Sequence, residues 1–235
     1  MNHAHIGSLN WSNEDIVYAY LLGEKLEDEL MNMMPKSRRN NDYCRKLTSI
    51  VTKKLEDITN ISSKAQYNIG IEDIFNDILD EVTYTKGMSR NALISSKNYN
   101  RDMQHPLGHK CGYDKNTQRY CWLNFVTLLY NTKGNKDALT LEFRLHSATL
   151  NYNKNKNWVK ICMAFCKYVT TNKKDILGDV TLEKVLTTAY PKTGASLVKY
   201  VEDRKKLFTE FGEAVDYVEG TIPSKKTIKE VTQCV

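Results

Sequence analysis

Helical spacing of apolar residues predicts most of the regular structure of this chain. Apolar side chains recur every three or four residues from Ile16 to Met34, between a Ser-Asn-Glu-Asp start at Ser12 and a helix-stopping Pro35. A second strong stripe runs from Trp158 to Val169 and follows a polar turn. Further helices are predicted over residues 50–58, 71–82, 181–186 and 196–211.

Alternation of polar and apolar residues predicts a few short β-strands. In residues 140–146, a period of two places Glu142, Arg144 and His146 on one face and the intervening apolar residues on the other. Residues 119–125 lead through a polar turn into this strand, which indicates an antiparallel pair. Near the start of the chain, two imidazoles in a His-Ala-His segment share one face of a third strand.

These elements together predict an α+β fold, in which a small, mostly antiparallel sheet forms one side of a cleft and helices pack on its back or are inserted between strands. We expect residues 1–170 to form the core portion, with a helical insertion at about 40–83 and a long polar loop at 84–118. Residues 171–219 are expected to form C-terminal helices, and residues 220–235 a flexible tail.

Composition and charge narrow the classes of function. Hydrophobic residues make up 41% of the chain and charged residues 26%, which is typical of a globular protein. The net charge of +6 is spread along the chain without a basic stripe, so nucleic acid is not expected as the main partner. No apolar run is long enough to cross a membrane, and residues 1–8 lack the pattern of a signal peptide.

The cysteines and the remaining histidines suggest no structural metal site. Six cysteines occur without paired metal spacing, so we expect reduced thiols and a cytoplasmic location. Zinc-ligand residue types occur at four further positions, His105, His109, Cys111 and Cys121. Their spacing fits no common structural zinc site. A loop over the substrate side of a cleft is the better interpretation of this segment.

Several motifs resemble those of the amidoligase family, which belongs to the carboxylate–amine ligase superfamily of glutamine synthetase and glutamate–cysteine ligase. The family's C-terminal signature is matched by Glu142, Phe143, Arg144, His146, Ser147, Thr149 and Trp158, although Ala148 stands where the family has glycine. Three further elements match in the family's order: the strand with His3 and His5, the Ser-Arg-Arg and Tyr-Cys segments at 37–39 and 43–44, and the Arg-Tyr-x-x-Leu-Asn strand at 119–124.

The resemblance implies an enzyme that forms an amide bond from a carboxylic acid and an amine through an acyl phosphate, with ATP and Mg²⁺ as cofactors. Glu142, with His5 and His3, is the implied metal-ligand set. Glu142, Arg144 and Arg119 are the implied catalytic residues. Contacts to the cofactor are implied for Arg119, Asn124 and His146. The implied substrates are small-molecule or peptide carboxylates and amines, including cell-wall peptides.

The resemblance covers residues 3–170, which correspond to the later part of a full amidoligase. The family's first half contains a strand with paired carboxylates that supplies most of the metal ligands, and it precedes the His-x-His strand. We therefore expect a fragment, one product of a split gene that works with a second chain, or a degenerate copy. The alternative function is a non-catalytic binding or structural protein that retains the fold, and a phage or other viral origin is compatible with either.

Overall fold

The computed structural model describes residues 3–7, 11–39, 44–47, 51, 64–83, 120–129 and 139–210, and the helices and strands that it describes lie within these ranges. In chain order, the elements are β1 (Ala4–Gly7), α1 (Asn13–Asn32), α2 (Lys36–Arg39), α3 (Lys64–Thr83), β2 (Leu123–Asn124), α4 (Val126–Leu129), β3 (Thr140–Phe143), α5 (Tyr152–Thr171), α6 (Lys173–Leu177), α7 (Leu182–Ala189) and α8 (Gly194–Glu210).

The strands form one small antiparallel sheet in the order β1-β3-β2. The central strand β3 pairs with β1 so that Glu142 lies opposite His5, and with β2 so that the same Glu142 lies opposite Asn124. The predicted antiparallel pairing between the segment around Asn124 and the 140–146 segment is confirmed. Helices α4 and α5 contact this sheet, and the predicted α+β class is confirmed as well.

One face of β3 packs on the apolar stripe of α5. Leu141 and Phe143 are buried, and the Phe143 ring meets Trp158 and Phe165 edge to face, at centroid distances of 6.4 and 5.4 Å. Such aromatic contacts add to the free energy gained by removing large rings from water. The predicted apolar stripe of α5 is buried at Trp158, Ile161, Phe165 and Val169. Two of these residues, Trp158 and Phe165, contact the sheet through Phe143.

Helix α1 begins at the capping motif that the sequence predicts. The Ser12 hydroxyl accepts a hydrogen bond from the Asp15 backbone N–H at 3.1 Å, and the Asp15 carboxylate accepts one from the Ser12 N–H at 2.8 Å. Burial would raise the pKa of Asp15, but hydrogen bonds from Lys173 and Ser12 outweigh burial and lower it. Lys173 also bonds Glu14, so the start of α1 is fastened to the start of α6.

The middle of α1 supports the segment that carries β2. Glu27 accepts hydrogen bonds from the Leu47 backbone N–H at 2.8 Å and from the Trp122 indole at 3.2 Å, and burial raises the pKa of its carboxyl group. A Cβ at Gly23 would lie 2.8 Å from Leu47 Cδ1 and 2.9 Å from Leu123 Cδ2. Glycine therefore lets these side chains approach α1 closely.

The C-terminal helices differ slightly from the prediction. The short α6 was not predicted, whereas α7 and α8 correspond to the predicted helices at 181–186 and 196–211. Of the predicted 50–58 helix only residue 51 is described, and the 84–118 loop and the 220–235 tail lie outside the described residues. Within the described part of the chain, none of the helices combines the length and apolar character needed to cross a bilayer.

Candidate functional site

A row of polar side chains crosses the sheet and is centred on Glu142. Because directly opposed residues of paired strands point to the same face, the register places His5 and Asn124 on either side of Glu142. His3 is two residues before His5 and so shares this face. The row thus joins three segments, of which the first lies more than 100 residues before the other two.

The Glu142 carboxylate has a different set of contacts at each oxygen. Oε2 accepts a hydrogen bond from Asn124 Nδ2 at 2.6 Å. Oε1 lies 2.7 Å from His3 Nδ1, 3.7 Å from His5 Nε2 and 3.5 Å from Arg144 Nη1. The Glu142 side chain is only 6% exposed, so these partners compensate for the loss of water around its charge. The structure thus brings Glu142, Arg144 and the histidine pair together around one carboxylate group.

The two histidines lie at the open side of this cluster. Their side chains are 32% exposed at His3 and 44% exposed at His5. His5 Nδ1 lies 3.0 Å from Thr140 Oγ1, which orients its other nitrogen toward Glu142. Burial lowers the pKa of His3, the Glu142 charge opposes this effect, and the charge of Arg144 adds to it.

Arg144 is held in place from several directions. Its guanidinium lies over the Tyr120 ring at 5.6 Å, and its backbone carbonyl accepts hydrogen bonds from Arg38 Nη2 at 2.8 Å and from the Cys44 thiol at 2.9 Å. Burial raises the pKa of Cys44, so the thiol remains a donor. The segments that contain Arg38 and Cys44 matched the motif resemblance, but the resemblance implied no role for them. The structure shows that they brace the backbone at Arg144.

His146 does not join the cluster, although the alternation predicts that it shares a face with Glu142. Strand β3 ends at Phe143, so the period of two no longer holds at His146. Its ring packs on Trp158 at a centroid distance of 5.4 Å, and its Nδ1 bonds the Ser147 carbonyl at 2.7 Å. The expectation of a common face is wrong at this residue. Its implied contact with a cofactor stays a prediction.

The environment of His146 has a consequence for stability. Burial, with a further contribution from the positive charge of Arg204, lowers the pKa of His146 from 6.5 to about 4. Between these values the unfolded chain binds a proton that the folded protein does not, so acidification favours unfolding. At roughly 1.4 kcal/mol per pKa unit, the free energy of unfolding should fall by about 3 kcal/mol as the pH is lowered from 7 to 4.

Urea denaturation at a series of pH values measures this contribution. The variant His146→Phe keeps a ring against Trp158 and has no group that titrates, so its stability should depend less steeply on pH between 6.5 and 4 than that of the wild type. All other titratable groups are the same in the two proteins, so their contributions cancel in the comparison. Parallel curves for the two proteins would show that His146 is not held in its neutral form.

The remaining predicted residues are placed as follows. Asn124 lies in the cluster, as described above. Arg119 lies outside the described residues, whereas its neighbour Tyr120 contacts Arg144. His105, His109 and Cys111 also lie outside, and Cys121 is buried with its thiol bonded to the Lys46 carbonyl at 3.2 Å. An open cleft of about 620 Å³ is lined by residues 148–151, beyond the end of β3.

Three side chains of the cluster could together hold a cation, and the positive charge of Arg144 lies beside them. His3, His5 and Glu142 each offer one ligand atom, and these atoms lie within 4.8 Å of one another. Two of the three donors are imidazole nitrogens, whereas Mg²⁺ prefers oxygen ligands in octahedral geometry. Glu142 therefore fits the Mg²⁺ that the resemblance implies, and the histidine pair does not.

No family model, curated protein or solved structure matches this chain.

Proposed function

We propose that the polar face of this sheet is the active site of an ATP-dependent carboxylate–amine ligase. One observation carries the proposal: the residues that the motif resemblance selects from separate segments meet around the Glu142 carboxylate. These residues are His3, His5, Asn124 and Arg144. A set of polar residues chosen by chance from these segments would not be expected to converge in this way.

The proposed reaction has two steps. An oxygen of the acid substrate attacks the γ-phosphorus of ATP, the bond to the β–γ bridging oxygen breaks, and ADP leaves an acyl phosphate behind. The amine nitrogen then attacks the acyl carbon, phosphate leaves, and the nitrogen loses a proton as the amide forms. Both steps concentrate negative charge on phosphoryl and carboxyl oxygens, so they need positive groups that are already in position.

Arg144 is the residue best suited to that task among those described. The Tyr120 ring and the braced backbone carbonyl limit the motion of its side chain. Its Nε is buried and has no hydrogen-bond partner within the described part of the chain. Because a guanidinium forms paired hydrogen bonds to carboxylate or phosphate, Arg144 can bind the migrating phosphoryl group or the acid substrate.

Mg-ATP needs more oxygen ligands than this cluster provides. Glu142 is the one carboxylate of the cluster among the described residues. Magnesium commonly uses one or two carboxylates together with substrate phosphates and water. The ligase proposal therefore requires further carboxylates from residues outside the described ranges or from a second chain.

Calorimetry with Mg-ATP tests the proposal. The isolated 235-residue chain is expected to bind Mg-ATP weakly and to release no ADP when amino acids and peptides are supplied. A second chain that contributes carboxylates should restore both binding and ADP release. Micromolar binding by the chain alone, abolished in Glu142→Gln, would show that its own carboxylates complete the site. Glu14 and Asp15 are poor candidates for this because both already bond Lys173.

The alternative is a non-catalytic binding or structural protein that retains the fold. The presence of one carboxylate in the described cluster favours it over an enzyme that works alone. Absence of nucleotide binding in every combination of chains, together with an intact fold, would establish this alternative and contradict the ligase proposal.

A further inference from the structure

We infer that His3, His5 and Glu142 bind a divalent transition-metal ion of the zinc class, and that they do so without any nucleotide. The inference uses the cluster of the proposed function but does not depend on ligase activity. It departs from the magnesium ion that the motif resemblance implies. The reason is the identity of the donor atoms, two nitrogens and one oxygen.

The ligand atoms are already close to the separation that a metal ion requires. Bonds of about 2.0–2.1 Å in tetrahedral geometry place ligand atoms roughly 3.3 Å apart. Here Glu142 Oε1 lies 2.7 Å from His3 Nδ1 and 3.7 Å from His5 Nε2, and all three atoms lie within 4.8 Å of one another. Rotations of two half-exposed histidine side chains are enough to close the remaining difference, while Glu142 stays fixed.

Neighbouring residues orient two of the three ligands, as they do in known metal sites. Asn124 binds Oε2 of Glu142 and leaves Oε1 facing the histidines. Thr140 Oγ1 lies 3.0 Å from His5 Nδ1, where it can accept the ring N–H. In that tautomer His5 Nε2 carries a lone pair directed at the cluster, and its 3.7 Å distance to Oε1 is longer than a hydrogen bond.

The donor set decides which class of ion fits. Two imidazoles with one carboxylate are a common ligand set for zinc sites that keep an open position, and also for ferrous sites. Magnesium binds imidazole poorly and surrounds itself with oxygen. Arg144 Nη1, 3.5 Å from Oε1, opposes any cation at this site and favours an anionic oxygen in the open position. We therefore expect binding of moderate affinity, stronger in Arg144→Gln because that variant removes the opposing charge.

Cobalt(II) is the probe for the experiment, because it substitutes for zinc and its absorption spectrum reports the ligand type. Titration of the full chain without nucleotide should give one bound ion per chain with no thiolate-to-cobalt charge-transfer band. Zinc should displace the cobalt, and a hundredfold excess of magnesium should not. The variants His3→Ala and His5→Ala should lose binding, and Thr140→Val should weaken it by about 10–100-fold.

The chain contains other histidines of a type that can bind zinc, and these define the control. The double variant His105→Ala/His109→Ala removes the histidine pair of the 84–118 segment and should bind cobalt like the wild type. The ligands His3 and His5 are partly exposed, so each can be replaced with little risk to folding, which circular dichroism checks. The inference would be overturned by cobalt binding that is retained in His5→Ala or lost in the double variant. A thiolate-to-cobalt band, or displacement of cobalt by magnesium, would overturn it as well.

The result is separable from the test of the proposed function. Metal binding is measured without ATP, so its failure leaves ligation by Arg144 and an externally completed magnesium site untouched. Conversely, a metal ion bound by His3, His5 and Glu142 in a chain that never binds nucleotide would contradict the ligase and support this inference.

Discussion

Replacement of Trp158 by alanine is expected to lower the free energy of unfolding by about 3–5 kcal/mol. The Trp158 side chain is fully buried, and its ring contacts Phe143 edge to face and His146 at 5.4 Å. Removal of the indole would leave a cavity between β3 and α5 that a strand and a helix cannot close without shifting. Urea denaturation followed by circular dichroism measures the loss as a lower transition midpoint.

Two further variants sharpen this measurement. Tyr152→Ala removes an aromatic ring from the same helix at a position that is 72% exposed, and it should change stability by about 0.5 kcal/mol or less. Trp158→Phe should cost clearly less than Trp158→Ala, because Trp158 Nε1 is buried with no hydrogen-bond partner among the described residues. Equal costs for Trp158→Ala and Tyr152→Ala would contradict the position of α5 on the sheet.

The second large effect is expected at Arg144. If the proposed ligase is assembled with all its carboxylates, Arg144→Gln should reduce kcat/KM by about 10²–10³-fold, the typical cost of removing one positioned donor from a transition state. Arg144→Lys keeps the charge but loses the paired donor geometry, so its loss should be intermediate. Steady-state ADP release measures kcat/KM for each variant.

A control variant distinguishes the effect of removing the Arg144 charge from the effect of removing a positive charge elsewhere on the protein. Lys156→Gln removes a cation whose described contact is to the exposed Tyr152 ring, and it should leave kcat/KM unchanged. Arg144→Gln should also tighten cobalt binding at His3, His5 and Glu142 while it impairs ligation. A variant that changed both quantities in the same direction would indicate partial unfolding, and an unchanged kcat/KM would remove Arg144 from the proposed mechanism.

The residues of the candidate site are close together, but their donor atoms differ from those that magnesium prefers. The motif resemblance selected Glu142, Arg144 and the histidine pair. In the structure, Arg144 and both histidines lie within 4 Å of the Glu142 carboxylate. The same motifs implied magnesium, whereas the donor atoms favour a different class of ion. Ligand identity follows from the local chemistry of the donors, which a shared motif order does not determine.

Local sequence patterns determined the elements whose stability depends on near neighbours. The capping residues at Ser12 and Asp15 mark the start of α1, because a side-chain acceptor satisfies backbone N–H groups within one helical turn. The stripe from Trp158 to Val169 likewise predicted the buried face of α5. The alternation at residues 140–143 placed Glu142 opposite the apolar face of its strand, as the structure shows.

The neighbours of Glu142, and the position of His146 away from it, depend on tertiary contacts that the sequence pattern does not show. The register of β1 and β2 on β3 places His5 and Asn124 beside Glu142. Hydrogen bonds from Arg38 and Cys44, about 100 residues earlier in the sequence, hold the backbone carbonyl of Arg144. His146 departed from the alternation because its strand ends at Phe143 and packing on Trp158 turns its ring toward the core. Periodicity describes one element at a time, whereas register and packing depend on partners distant in sequence.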